Sequence, residues 1–362
     1  MNFKKTVKEY GITNLERFSY IQKKSLAIQV AEMISNKFDY INYDYIYNKI
    51  LSTQIFFGKI GTVENKAIYA YDDDTLIIDN SLTIGEISPE LLYECIHTIQ
   101  DRRNKKGKLQ QLGQVTFTSF KENGIALNES AVQFIVSKVF ERENTVQEVY
   151  GIRVNTILTN RNILIFNILE QLKFVIGEKQ LVKSTIYATD DFIIDGYDTI
   201  TKTTFCNVKE NMDRILFAEE EIISLKRDIN ENNIRKSTEQ INENIKLIQK
   251  LYMECQIEIF KSYFDILYNT IHTIFDLTFY KNKLEEYKNL IGVSIYKEND
   301  FMMQYYDTYY KKRQEELIEK ENQIKVKNDF SLVLLSNNII SKLFTKIREI
   351  SLRILNREKW KQ

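Results

Sequence analysis

The chain has 362 residues, and 50 lysines and arginines balance 50 aspartates and glutamates, so its formal net charge is zero. That balance argues against a protein that tracks nucleic-acid phosphates, which needs a basic surface to displace counterions. Only two histidines, His97 and His272, are present, which excludes a three-histidine zinc centre and a complete HExxH motif. The three cysteines, Cys95, Cys206 and Cys255, are far apart with no CxxC spacing. Neither a disulfide framework nor a cysteine-rich zinc site is expected, and a reducing compartment fits. Apolar residues make up 43% and charged residues 28%, a balance that allows a buried core. No apolar run suits a signal peptide or a membrane span, so a cytoplasmic protein is expected.

Glycine divides the chain. Ten of its 11 glycines lie between Gly11 and Gly196, and the single proline, Pro89, is there too. Turn-formers punctuate mixed structure, and their absence permits long helices. The expectation is an α+β domain over 1–205 followed by a helical region over 206–362.

In the first part, Leu15–Ser35 and Asp39–Ser52 read as helices. Gln54–Ile60, Lys66–Tyr71 and Thr75–Asp79 read as strands, being rich in Ile, Phe, Tyr and Thr. Gly61 and Asp72-Asp73-Asp74 separate them, and the acidic triplet reads as a solvated hairpin tip, because aspartate favours turns. A helix then opens with Ser88 as N-cap, Pro89 at the first helical position and Glu90 in the first turn. It is expected to run to about Asn104, where Arg102, Arg103, Lys105 and Lys106 would complement its C-terminal dipole before Gly107. A second helix is expected over Ala126–Arg142 and a third over Arg161–Val175, with strands at Lys183–Ala188 and Asp191–Ile194.

Beyond Asn207 the pattern is helical. Ile215, Ala218, Ile222, Leu225 and Ile229 alternate spacings of three and four. Ile234, Thr238, Ile241, Ile245, Ile248, Tyr252, Cys255 and Ile259 do the same in another phase, with a slip at Asn230–Asn233. Two readings fit: a partner-binding coiled coil, through which the chain could oligomerise, or an intramolecular helical hairpin. Further helices are expected over Asp265–Leu290, Phe301–Val326 and Asn337–Arg357.

The candidate chemistry lies on the capped helix. With residues placed about 100° apart, Leu91, Leu92, Cys95, Ile96 and Ile99 form an apolar face, and Tyr93, Glu94, His97 and Gln100 gather opposite. Tyr93-Glu94-Cys95-Ile96-His97 has the spacing of the zinc-binding HExxH helix, with tyrosine in place of the first histidine. In the intact motif, histidines one turn apart hold the metal and the glutamate activates the bound water. On the second helix Glu129 falls in line with Val132, Val136 and Phe140. A carboxylate on such an apolar helix must be paired, protonated or bound to a cation. A structural partner and a metal both satisfy that demand.

A strand-rich segment, an HExxH-type helix and a second helix carrying Asn128-Glu129 together resemble the gluzincin class of zinc metallopeptidases, over roughly residues 50–145. The resemblance implies a zincin-like N-terminal domain, with Glu94 as general base, His97 and Glu129 as zinc ligands, and Tyr93 at the remaining ligand position. The segments Tyr93–Gln100 and Gly124–Gln133 are also similar to a group of uncharacterised bacterial proteins. Catalytic zinc takes three protein ligands and a water, and a tyrosinate needs its proton removed first. His272, flanked by Ile271, Ile274 and Phe275, reads as a core-edge histidine whose ring N–H Asp276 could satisfy. A di-iron carboxylate site is excluded because Asn269 stands where the second Glu-x-x-His glutamate is required. Cys95 and His97, two apart, point to different helix faces, and no phosphate-binding glycine loop occurs.

Two functional expectations follow. The first is a non-catalytic metallopeptidase-like protein that binds a protein or peptide partner as an interaction or scaffold module. The alternative is a metal-dependent peptidase, with zinc as the cofactor.

Overall fold

The computed structural model describes residues 3–61, 66–83, 85–117, 122–158, 161–194, 200–229, 233–292 and 302–327, together with 339, 341–343 and 345–346. The chain is a mixed α+β protein. It divides into two compact units, Met1–Ile266 with Glu286–Met303, and Leu267–Glu285 with Gln304–Gln362.

The first unit opens with α1 (Phe3–Glu9) and β1 (Thr13–Arg17), then α2 (Tyr20–Lys37), α3 (Tyr43–Ser52), β2 (Gln54–Lys59), β3 (Ala67–Ala70), β4 (Thr75–Asp79) and α4 (Pro89–Gln100). Leu15 to Arg17, expected in a helix, instead form the β1 edge against β2. The helix starts later because Ser19 and Gln22 build a capping box, each side chain bonding the other's backbone N–H. The sheet order is β1-β2-β4-β3, with β2 parallel to β4 and the outer strands antiparallel. Between β3 and β4 the acidic triplet forms the expected tight turn, with Asp74 in the left-handed region at φ 48°.

Helix α4 begins as expected: Ser88 Oγ accepts the Leu91 N–H at 3.2 Å. It ends at Gln100 rather than Asn104. Asp101–Arg103 becomes β5 instead, followed by β6 (Leu109–Leu112), β7 (Val115–Phe117) and β8 (Glu122–Asn123) in a meander. The arginines are therefore strand residues and not a helix C-cap. Arg103 pairs with Asp101 Oδ2 at 2.6 Å, and the Tyr69 hydroxyl donates to the same oxygen at 2.7 Å. Those tertiary bonds hold Asp101 and Arg103 extended.

Helix α5 (Ile125–Val139) follows, then the hairpin β9 (Thr145–Val149) and β10 (Ile152–Thr156). The turn residues Tyr150 and Gly151 both have positive φ, 51° and 73°, as a two-residue hairpin loop requires. Next come α6 (Ile163–Ile176), α7 (Glu178–Tyr187) and α8 (Asp191–Ile194). The segments Lys183–Ala188 and Asp191–Ile194, expected as strands for their branched residues, are helical. Leu181, Val182, Ser184, Thr185 and Ile186 are all buried, so packing of α7 overrides local strand preference. The long helices α9 (Lys202–Asp228) and α10 (Ile234–Phe260) run antiparallel within the same unit: Asn207 on α9 reaches Glu258 on α10 at 3.2 Å. Residues 230–232 of the phase slip inferred at Asn230–Asn233 lie outside the described residues, as does most of Asn337–Arg357.

Helix α11 (Ile266–Asn269) lies at the edge of the second unit, and α12 (Ile274–Ile291) and α13 (Met303–Tyr305) follow in sequence. The break at residues 270–273 interrupts the single helix expected over Asp265–Leu290. In the second unit Tyr268 stacks edge-on with Tyr280 and under Arg313. Among the described residues, no helix is long and apolar enough to cross a membrane.

Candidate functional site

The apolar face of α4 (Leu91, Leu92, Cys95, Ile96, Ile99) is buried, each side chain contributing roughly 1.5–3 kcal/mol. On the polar face His97 and Gln100 are buried, while Tyr93 and Glu94 are half-buried, Tyr93 meeting Glu129 of α5 and Glu94 meeting β3. Asn128 locks the two helices: its Oδ1 accepts the Gln114 N–H at 3.0 Å and its Nδ2 donates to Gln100 Oε1 at 3.3 Å. Gly113, at φ 54°, permits this approach, since a Cβ there would lie 2.0 Å from Asn128 Oδ1.

The N-terminus of α5 is held from α9. Its cap residue Gly124 has no side chain to offer, and Asp213 takes that role, accepting Gly124 N–H at 2.7 Å and Ala126 N–H at 2.9 Å. With both helices fixed, Tyr93, Glu94, His97 and Glu129 come together in one cluster within the first unit. The Tyr93 hydroxyl donates to Glu129 Oε2. His97 Nε2 lies 3.6 Å from Glu129 Oε1. The Tyr93 and His97 rings meet edge-on, centroids 4.8 Å apart. Glu94 turns the other way and accepts the Tyr69 N–H from β3 at 2.8 Å.

Burial sets the electrostatics. It is the largest influence raising the Glu94 carboxyl, to about 7. The Glu129 charge adds to the rise, while His97 and the Tyr69 N–H oppose it. Burial and the Glu129 carboxylate push the Tyr93 phenol well above its ordinary value, so it stays a neutral donor. His97 is 7% exposed, and its Nδ1 has no hydrogen-bond partner among the described residues.

These residues do not complete a zinc site as they stand. A metal-bound histidine normally donates its second ring N–H to an orienting partner, which Nδ1 of His97 lacks among the described residues. The phenol that would be the third ligand is held protonated, and its hydrogen bond occupies Glu129. Among the described residues, no group of three or more His, Cys, Asp or Glu side chains is arranged to hold a metal ion. His272 belongs to the second unit and is exposed, not at a core edge. Asp276 accepts its backbone N–H at 3.0 Å, and that of Thr273 at 2.8 Å, rather than an imidazole proton. Those bonds hold the Asp276 carboxyl below its usual range.

Beside the cluster lies a cleft of about 270 Å³ between the start of β3, α4 and α5, lined by Lys66, Ala67, Tyr93, Glu94, Gln133 and Ser137, with Arg142 also on its wall. Sequence reasoning missed the last three. Ser137 Oγ and Gln133 Oε1 are buried polar atoms without partners among the described residues, and Ser137 is only 2% exposed. Both share the Glu129 side of α5 at helical spacing, Gln133 four residues and Ser137 eight residues on, a signal that was available in the sequence. β3 is the sheet edge. Antiparallel alternation turns the Ala67 N–H and C=O outward, the same way as the Tyr69 N–H that meets Glu94. Compared with known proteins, the chain matches no family model, no curated protein and no solved structure.

Proposed function

We propose that this protein is a metallopeptidase-like interaction module that holds an extended polypeptide in the cleft along β3 and does not cleave it. The observation that carries the reading is the pairing of Tyr93 with Glu129. The carboxylate that the gluzincin resemblance assigns to zinc is held by a neutral phenol, so the frame keeps its groove and loses its metal grip. The outward N–H and C=O of Ala67 offer an added strand its main-chain hydrogen bonds. Ser137 and Gln133 supply unused polar atoms to its side chains.

The test is Ala67→Pro. Proline removes the outward donor and leaves the β3–β4 ladder bonds intact, as an edge strand tolerates. Anisotropy of fluorescein-labelled, reduced and carboxymethylated casein fragments should report binding to the native chain and a loss of about tenfold or more in the variant. Unchanged binding, with the circular dichroism spectrum preserved, would sink the reading.

One distance favours a second reading, a zinc-dependent peptidase with Glu94 as general base and His97 and Glu129 on the metal. The 3.6 Å between His97 Nε2 and Glu129 Oε1 is close to the separation of two ligands about 2 Å from one zinc ion. Metal content decides between the two. Stoichiometric zinc in the purified native chain, lost in His97→Ala, supports the peptidase, and its absence supports the interaction module.

A further inference from the structure

A second cavity, of about 360 Å³, lies between α5, the β9–β10 turn, the start of α6 and α9. Its volume falls in the lower part of the roughly 300–1,000 Å³ span of small-ligand pockets. Ile125, Ile163, Leu216 and Ile223 give it apolar walls, and Glu219 and Glu220 of α9 supply carboxylates. Glu129, whose other contacts are with Tyr93 and His97, also reaches it.

Glu219 is the unusual member. It is 7% exposed, lies on the same helical stripe as the buried Ile215 and Ile222, and has no hydrogen-bond or ion-pair partner among the described residues. A buried carboxylate requires donors, and a buried neutral carboxylic acid still requires an acceptor for its O–H. Burial raises this carboxyl, to about 7. Arg161 also lines the cavity. A hard divalent cation would need its carboxylate ligands gathered around one point, and among the described residues no three His, Cys, Asp or Glu side chains converge in that way. Apolar walls leading to an unanswered carboxylate suit an aliphatic stem with a charged tip.

We propose that this cavity binds a cationic nitrogen at the end of an aliphatic chain, with Glu219 as its anchor and Ile125, Leu216 and Ile223 packing the stem. The ligand is a lysine side chain presented by a polypeptide or a free alkylamine, which offer the same chemistry. The site is independent of the peptide groove: it requires neither metal at His97 nor a strand added to β3.

Isothermal titration of the full chain tests it, with N-acetyl-lysine methylamide, cadaverine and neutral N-acetyl-norleucine methylamide as probes. At least one cationic probe should bind saturably at millimolar concentration or below. Binding of the lysine derivative alone assigns the site to a polypeptide side chain, and binding of cadaverine alone assigns it to a free amine. Glu219→Gln should weaken the cationic probe at least tenfold. Ile223→Trp, at the exposed rim, should do the same by filling the mouth, and it decides the matter if Glu219→Gln does not fold. The proposal is overturned if neither cation binds, if the norleucine derivative binds as well as the lysine derivative, or if both variants bind like the native chain.

Discussion

Asp213 and Glu219 both lie on the buried side of α9, yet the two carboxylates live in opposite circumstances. Asp213 gives both oxygens to backbone donors at the start of α5, where the helix dipole also favours negative charge. Glu219 opens on a cavity. The difference separates two roles that a list of buried acids would merge. Where the fold provides the donors, a carboxylate is part of the architecture. Where it does not, the carboxylate is a cost to the fold and a place for something else to bind. Asn128 and Glu129 repeat the contrast one residue apart on α5: Asn128 joins α4 to α5, and Glu129 faces the Tyr93–His97 cluster.

The largest effect should come from Asp213→Ala. It leaves two buried N–H groups at a glycine-capped helix start without an acceptor, and should cost about 3–4 kcal/mol in urea unfolding. Because α5 carries Glu129, Gln133 and Ser137, the same change should loosen the peptide groove. A cost below about 1 kcal/mol would mean that Asp213 does not organise α5, and the contrast with Glu219 would collapse.

Glu219→Gln should act in the other direction and depend on pH. An unfolded glutamate titrates at its ordinary 4.5 and the folded Glu219 at about 7. Between those values the native chain keeps a proton that the unfolded chain has released, so stability falls as pH rises through the window and levels off above it. The glutamine removes that share of the fall, about 2 kcal/mol between pH 5 and pH 8. Glu94, also raised to about 7, keeps the remainder. Urea midpoints at the two pH values measure this, and equal slopes for the variant and the native chain would contradict an unpartnered Glu219.

Much of this site was legible in the sequence, because it rests on helical phase and capping, which are local. Ser88-Pro89 fixed where α4 begins, so the common face of Tyr93, Glu94 and His97 followed, as did a buried helix carrying Glu129. The end of α4 was not legible: Asp101 and Arg103 are drawn into a strand by Tyr69 and by each other, partners remote in sequence or folded back on it. The β9–β10 hairpin was missed because its turn is Tyr150-Gly151 and lacks the asparagine or aspartate that usually marks such loops. Lys183–Ala188 looked like a strand because the packing that makes it helical comes from other elements. Glu219 hid in the run Glu219-Glu220-Glu221, which reads as a solvated face, although its spacing from Ile215 and Ile222 placed it on the buried stripe. Its cavity depends on the β9–β10 turn, so it could not be found before that turn was known.

The smallest expected effect tests on which side of the contrast the Tyr93–Glu129 pair belongs. Tyr93→Phe deletes the hydroxyl that donates to Glu129 and keeps the ring against His97. The Glu129 side chain is 29% exposed, so water can replace the lost donor, and the cost should be about 1 kcal/mol. That is the behaviour of a ligand-facing pair beside a cleft. A loss of about 3 kcal/mol or more, comparable with Asp213→Ala, would instead make the phenol an architectural donor, as fixed a part of the α4–α5 interface as Asn128. Thermal unfolding of the two variants side by side therefore reads out whether tyrosine at this position serves the groove or the fold.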